Sequence, residues 1–217
     1  MLTYIQIRGL LLMVCCGLIV MLPVEHAGAS GKDAFKESGE LRKRAAKTFD
    51  DVNKYVSQLN DTEQAMTRVG NADSGNLRKR YESFSKAVRD LEHEQERTTT
   101  SIDKMRSTAA EYFSAWDKAN AQISDPELRY AGARRRTSVI EQYRDLGDSA
   151  SNIGVRLQPF MSHLRDLNSF LGADLSLGNV EKAREMIYES RMEAKSLRER
   201  IADVQETMKR YLKESPK

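Results

Sequence analysis

A chain of 217 residues, 31% charged and 40% hydrophobic, with only 4 Pro and 12 Gly, holds few helix breakers and favours helix over sheet. Aromatic residues make up 7%, which excludes a thick globular core and suits an elongated helical protein with a thin apolar seam. The net charge of +3 comes from 35 Lys and Arg against 32 Asp and Glu, a mixed surface without the dense basic face of a nucleic-acid binder, so no nucleic-acid partner is expected.

The first element is a targeting segment. Met1–Arg8 carries one positive charge, and Gly9–Val24 carries none and is rich in Leu, Val, Met and Ile. Ala27-Gly28-Ala29 then offers small residues before Ser30, which suits a signal peptidase. We read residues 1–29 as a signal peptide cut after Ala29, which places the protein in the periplasm or cell envelope of a bacterium. The apolar run is shorter than the roughly 20 residues of a membrane span. Two alternatives stay open: an uncleaved anchor, and lipidation at Cys15 or Cys16. A lipidated cysteine normally follows a small residue, and Val14 is not small. Adjacent cysteines do not form an ordinary disulfide, and a cut after Ala29 leaves none. That cut removes one base, Arg8, and one acid, Glu25, so the net charge is unchanged.

The remaining residues, 30–217, read as a single all-α domain with helices over roughly 32–69, 77–122, 126–171 and 177–213. Each carries an apolar stripe stepping alternately by three and four. The first runs Leu41, Ala45, Thr48, Val52, Tyr55, Leu59, Thr62, Met66, Val69, and the second from Leu77 through Val88, Gln95, Thr98, Met105 and Trp116 to Ile123. The third runs from Val139 through Ala150, Ile153 and Phe160 to Leu171, and the fourth from Val180 through Ser190 and Ile201 to Tyr211. Sustained 3-4 spacing is the coiled-coil pattern, because a 3.5-residue repeat keeps one seam facing a partner. Gly70–Asn76 is rich in turn formers, Asp125-Pro126 supplies an N-cap and a first helical position, and Gly172–Asn179 forms the third break. Short connections imply antiparallel neighbours, so the expected fold is an elongated antiparallel bundle of about four coiled-coil-like helices. A 45-residue helix is about 68 Å long.

Three local features qualify this picture. Pro159 cannot donate its backbone hydrogen bond, so a kink or break is expected in the third helix. Gln95 and Thr98 leave a polar gap in the second seam, where buried polar groups fix register or weaken packing. Trp116, the sole tryptophan, is in register and reads as a seam residue near a bundle end, with Arg135 folded back near residue 114 and Glu111 and Asp117 as ion-pair partners for the arginines.

Chemistry-bearing motifs are sparse. His93 and His163 lie off the stripes, and no Glu-x-x-His motif of the kind a di-iron bundle uses is present. There is no phosphate-cradling glycine loop and no Gly-x-Ser-x-Gly elbow. No enzyme activity, cofactor or metal is expected. Three basic clusters remain: Arg42-Lys43-Arg44, Arg78-Lys79-Arg80 and Arg134-Arg135-Arg136. Along the helices the second lies about 52 Å from the third, so only the first and third share an end. Arg42, Lys43, Arg44, Arg134, Arg135 and Arg136 are the candidate anion or partner contacts, with solvated helix surface as the plain alternative.

Three segments, "EYFSAWDKANAQISDPELR", "ARRRTSVIEQYRDL" and "LQPFMSHLRDLNSFLGADL", resemble the uncharacterised bacterial domain-of-unknown-function family 2959. The likeness consists of an aromatic-x-x-x-Trp helix end, a polar corner with Leu-Arg, an Arg-rich helix start and an apolar run ending at Leu171. It covers about Tyr81 to Ile187, and helix 1 matches poorly. The resemblance implies exported helical proteins, many of them read as lipoproteins, in the cell envelope, and it implies no activity. The expectation is a non-enzymatic exported envelope protein acting as a helical scaffold or partner-binding module. Its expected partners are another protein or a second copy, since a two-position seam is narrower than a globular bundle needs. The alternative is a peripheral binder of anionic lipid or envelope polysaccharide at a membrane surface.

Overall fold

The computed structural model describes residues 31–214, and for side chains residues 32–147 and 157–213. The segment read as a signal, with Cys15 and Cys16, lies outside the described residues, as do the side chains of Ala150 and Ile153. Five helices occupy the described residues: α1 (Gly31–Gly70), α2 (Leu77–Ala121), α3 (Pro126–Ala173), α4 (Leu177–Lys182) and α5 (Arg184–Glu214). No strand occurs among them, and the fold is all-helical.

The stripes are where the core forms. All nine α1 positions from Leu41 to Val69 are buried. So are Leu77, Phe84, Val88, Leu91, Met105 and Ala109 on α2, Leu146, Leu157, Phe160, Leu164, Leu167 and Leu171 on α3, and the run from Val180 to Met208 on α4 and α5. Burying each Leu, Ile, Phe or Met contributes about 1.5–3 kcal/mol. Ala65, Ala87 and Met161 flank the stripes and are buried too, so the buried faces of α1, α2 and α3 are wider than two positions per heptad, whereas α5 buries its stripe alone.

Direction and register are set by polar contacts. Thr48 faces Ser101, with Oγ1 donating to the Ser101 carbonyl at 3.2 Å and lying 3.1 Å from its hydroxyl. The Thr98 hydroxyl donates to the Asp51 carbonyl, and the Thr62 hydroxyl to the Ala87 carbonyl at 3.1 Å. As the α1 number rises the α2 number falls, so these two helices run in opposite directions. The same holds for α2 and α3, through Glu92–Arg165 at 2.5 Å and Asp117–Arg136 at 2.7 Å. Between α1 and α5, Arg42 donates to the Leu212 carbonyl, Gln205 to Asn53, and Arg198 pairs with Glu63. Between α3 and α5, His163 meets Glu193 and Tyr143 meets Tyr211. The polar gap at Thr98 is therefore one half of an α1–α2 polar layer, in which Thr98 meets Asp51 and Ser101 meets Thr48, all four buried.

Helix ends are closed by side chains from elsewhere in the fold. At the first corner, the Asp73 carboxylate accepts from the backbone N–H groups of Gly75 and Asn76, and Arg80 donates to the Arg68 and Asn71 carbonyls at the end of α1. Arg129 does the same at the end of α2, donating to the Ile123 and Ser124 carbonyls. Asn179 donates to the Phe170 and Asp174 carbonyls at the end of α3. Asp125 caps α3 as its sequence predicts, accepting from Glu127 and Leu128 N–H groups at 2.8 and 2.9 Å.

One expectation needs correction and one is narrowed. The single helix over 177–213 is interrupted at Ala183, which holds φ −80° and ψ −8°. Its N–H is shared between the Asn179 and Val180 carbonyls, a tightened turn, and Ile187 N–H then bonds the Ala183 carbonyl at 2.9 Å, so α5 resumes at once. Pro159 does not end α3. The lost hydrogen bond and ring clash cost about 3 kcal/mol, and burial of Leu157, Phe160, Met161 and Leu164 around it outweighs that.

Asp51 and Tyr55 are buried polar groups with opposite prospects. The Asp51 side chain is only 2% exposed and meets Lys47 at 2.7 Å, Arg97 at 3.7 Å and Lys54 at 3.9 Å. Burial acts to raise its pKa, but hydrogen bonds from Lys47 and Ser101 and the charges of Lys47 and Lys54 hold the carboxyl below its ordinary value. A lowered pKa gives stability that is present above the unfolded-state pKa, about 4, and is lost as pH falls through the folded-state value. Asp51→Asn is expected to destabilise by about 1–3 kcal/mol at neutral pH, with the deficit shrinking below about pH 4, in urea melts followed by circular dichroism. The buried Tyr55 hydroxyl has no hydrogen-bond partner among the described protein atoms. Tyr55→Phe is expected to be neutral or stabilising in the same melts.

Candidate functional site

The helices do not end together. Arg42 reaches the Leu212 carbonyl at 3.2 Å, so α5 stops level with the second turn-pair of α1. Beyond that level α1 continues back to Gly31, α2 runs on to Ala121 and α3 begins at Pro126. Eleven residues separate Gly31 from Arg42, so among the described residues about 17 Å of this end has three helices and no fourth.

An aromatic series marks the change. Tyr211 of α5 lies 6.4 Å from Tyr143, which lies 6.0 Å from Phe113. Tyr112 follows at 5.3 Å from Phe113, and Trp116 at 5.5 Å from Tyr112. Outward from Tyr211 the seam is no longer sealed. Tyr112, Trp116, Ala119 and Ile123 are half-buried in succession, whereas at the level of α5 half-buried α2 stripe positions such as Gln95 and Ile102 alternate with buried ones. The sequence placed Trp116 in a seam near a bundle end. It does sit on the seam, and it also lines an open groove of about 540 Å³ with Ala34, Phe35, Tyr112, Ile123 and Gly132. A Cβ at Gly132 would meet the end of the Asn120 side chain, which donates to the Arg129 carbonyl and would have to shift. Phe35, Leu128 and Tyr130 are 71%, 64% and 67% exposed around this end.

The basic clusters divide residue by residue, since neighbours on a helix point about 100° apart. Arg42 is used on Leu212, and Lys43 pairs with Glu40 at 2.7 Å. Arg136 pairs with Asp117 at 2.7 Å and lies over the Phe113 ring at 5.8 Å. Asp117 was one of the two expected partners, and it takes Arg136 rather than Arg135. Arg134 stands 6.0 Å from the Tyr130 ring, and Arg44, Arg134 and Arg135 are exposed. The first and third clusters do share an end. They sit on α1 and α3, which are separated by α2, and at different heights, so they do not form one patch. In the second cluster, Arg80 closes α1 at the opposite end.

His93 is exposed beside Arg44, Lys47, Arg97 and Lys104 in a shallow groove, and His163 meets Glu193 at 3.0 Å on the surface. Among the described residues no group of three His, Cys, Asp or Glu side chains is placed to hold a metal ion. None of the described helices is long and apolar enough to cross a membrane.

The family model described as "Protein of unknown function (DUF2959)" matches residues 40–216. That span takes in most of α1, which the sequence resemblance left out. No curated protein and no solved structure matches the chain.

The aromatic series has a measurable alkaline signature. Burial pushes the Tyr112 hydroxyl up to about 12, with Tyr211 adding to the shift and Arg135 opposing it. Burial likewise pushes Tyr143 up to about 12, against the opposing charge of Arg106. A raised pKa gives stability that is intact below the unfolded value, about 10, and is lost as pH rises through the folded value. Stability is therefore expected to fall between about pH 10 and pH 12, and the paired change Tyr112→Phe with Tyr143→Phe is expected to flatten that fall. Thermal melts across the range check it; an unchanged slope in the double variant counts against the burial of these rings.

Proposed function

The chain belongs to the DUF2959 family, and from its geometry we propose that it is a non-enzymatic, exported cell-envelope protein that works as a helical spacer, holding partners at its two ends. In this reading the long helical segments make one elongated antiparallel bundle with coiled-coil-like seams, α4 and α5 together serving as its fourth member. The 3-4 stripes and the opposed directions of contacting helices support it. At 48 residues, α3 sets a length of about 72 Å.

One observation carries the proposal: among the described side chains the exposed large hydrophobic residues are segregated. Phe35, Leu128 and Tyr130 lie at the three-helix end. Phe170, Leu177, Met186, Tyr188 and Met192 lie at the other, near the α1–α2 and α3–α4 corners. The body between them presents charged side chains. Contiguous exposed apolar surface marks interaction sites, whereas single scattered residues do not. Partner proteins or a second copy are the occupants this reading expects.

A photo-crosslinking residue placed in turn at 35, 130, 188 and 192 in living cells is expected to give adducts. Placement at the mid-body positions 96 and 199 is expected to give few. Adducts spread evenly along the body, or confined to 96 and 199, would overturn the assignment of function to the ends.

A further inference from the structure

We propose that the three-helix end seats an amphipathic α-helix of a partner protein, laid along the line that α5 follows until it stops. This rests on reading the ends as contact surfaces, and it names the kind of partner one of them takes.

The shape of the opening follows from the packing below it. α5 touches α1 and α3, and α2 touches the same two. α5 therefore lies in the trough between α1 and α3, opposite α2, as far as Leu212, whose carbonyl accepts from Arg42. Past that level α1, α2 and α3 run on, and among the described residues no helix lies in the trough for about 17 Å. That length is about three helical turns. The groove beside Trp116 is this open stretch, since Phe35 of α1, Trp116 and Ile123 of α2 and Gly132 of α3 line it together.

The walls keep the chemistry of a helix seat. On α2 the stripe goes on at 3-4 spacing through Tyr112, Trp116, Ala119 and Ile123, half-buried in succession, where Met105 and Ala109 before them are buried. On α1, Phe35 lies two heptads before Phe49 and so shares its face. Phe49 packs against the core, with Lys209 of α5 5.8 Å from its ring. Phe35, beyond the end of α5, is 71% exposed. A helix recognised in a groove uses apolar anchors at i, i+3 or i+4, and i+7, and three turns supply them.

Charge leaves recognition to this apolar floor. Residues 31–41 and 107–136, which make up the end beyond Arg42, hold seven Lys and Arg against seven Asp and Glu. Exposed Lys32, Lys118, Arg134 and Arg135 stand among exposed Asp33, Glu111 and Glu127. Such a rim selects neither an anionic nor a cationic surface. It suits the mixed polar back of an amphipathic helix, of the kind α5 itself presents with Arg200, Asp203 and Glu206.

The chain provides its own reporter, because Trp116 is the only tryptophan and lines the groove. The probe is a synthetic peptide with the sequence Leu197–Arg210, blocked at both ends, whose stripe of Leu197, Ile201, Val204 and Met208 is buried where α5 fills the same trough. Mixed with the protein as its host processes it, the peptide is expected to shift Trp116 emission to the blue, saturably, and to protect it from acrylamide. Ile201→Glu with Val204→Glu in the peptide is expected to abolish both effects. Phe35→Ser in the protein, exposed and checked for retained helicity, is expected to weaken peptide binding about tenfold, and Tyr188→Ser at the other end to leave it unchanged. In cells, a photo-crosslinking residue at 35 is expected to mark a segment of another protein with apolar residues at 3-4 spacing. An unchanged Trp116 spectrum up to about 1 mM peptide overturns the proposal. So does an equal shift with the doubly substituted peptide. Shielding of Trp116 that grows with protein concentration without peptide, together with a doubled mass, assigns the groove to a second copy instead. Shielding by phosphatidylcholine vesicles assigns it to a lipid surface. Crosslinks from 188 and 192 read the opposite end and do not depend on this groove, so failure here and failure of the spacer reading are distinguishable.

Discussion

Everything else in this fold depends on the register between α1 and α2. Apolar stripes attract one another at several offsets, because sliding by one heptad pairs leucine-like positions again. Three polar contacts remove that freedom. Thr48 with Ser101, Thr98 with the Asp51 carbonyl, and Thr62 with the Ala87 carbonyl are satisfied together in one alignment. In any other, Thr48 and Thr98 lose their cross-helix acceptors at about 1–3 kcal/mol each, whereas Thr62 keeps the Gln58 carbonyl of its own helix at 2.8 Å. With that alignment fixed, Lys47, Lys54 and Arg97 surround the Asp51 carboxylate, and α3 and α5 pack against a surface whose spacing is settled. Specificity here comes from small hydroxyl-bearing residues set among larger apolar ones.

A second use of polarity explains much of the arginine content. Four orphan carbonyls close every helix C-terminus, and short loops leave little backbone to satisfy them. Arg80 serves α1, Arg129 serves α2, Asn179 serves α3 and Arg42 serves α5. A cation near a helix C-terminus also complements the macrodipole, at roughly 0.3–1 kcal/mol. Of the basic residues that stand in rows of three, one in each row is thus structural: Arg42 and Arg80 on carbonyls, Arg136 on Asp117 and the Phe113 ring. The exposed remainder faces solvent, with Lys43 on Glu40 and Arg134 beside the Tyr130 ring.

The stripes were legible because a period survives averaging over many residues. No stripe position with a described side chain is fully exposed, from Leu41 to Tyr211. Helix type and the Asp125-Pro126 corner were legible for the same kind of reason, since each is a local rule. Asp51 and Ser101 were missed because a two-position seam does not include them; the flanking Lys47 and Lys54, one turn to either side of Asp51, were the available signal. The clusters were read as units because their residues adjoin in sequence, which is the wrong neighbourhood on a helix. The open end escaped for a different reason. It follows from where α5 stops relative to α1, a comparison that exists only after the helices are registered against each other.

The order of contacts along the chain has a kinetic consequence. Thr62 and Ala87 are 25 residues apart and Thr48 and Ser101 are 53 apart, so the α1–α2 hairpin is complete within the first half of the described residues. Arg42 and Leu212, by contrast, are separated by 170 residues. Loop closure grows costlier with separation, so the nearby pairing forms early and the distant one last. A chain crossing a membrane from its N-terminus would present the hairpin first, with its far seam bare until α5 emerges. During that interval the apolar faces of α1 and α3 that α5 later covers are open to any chaperone waiting on the far side.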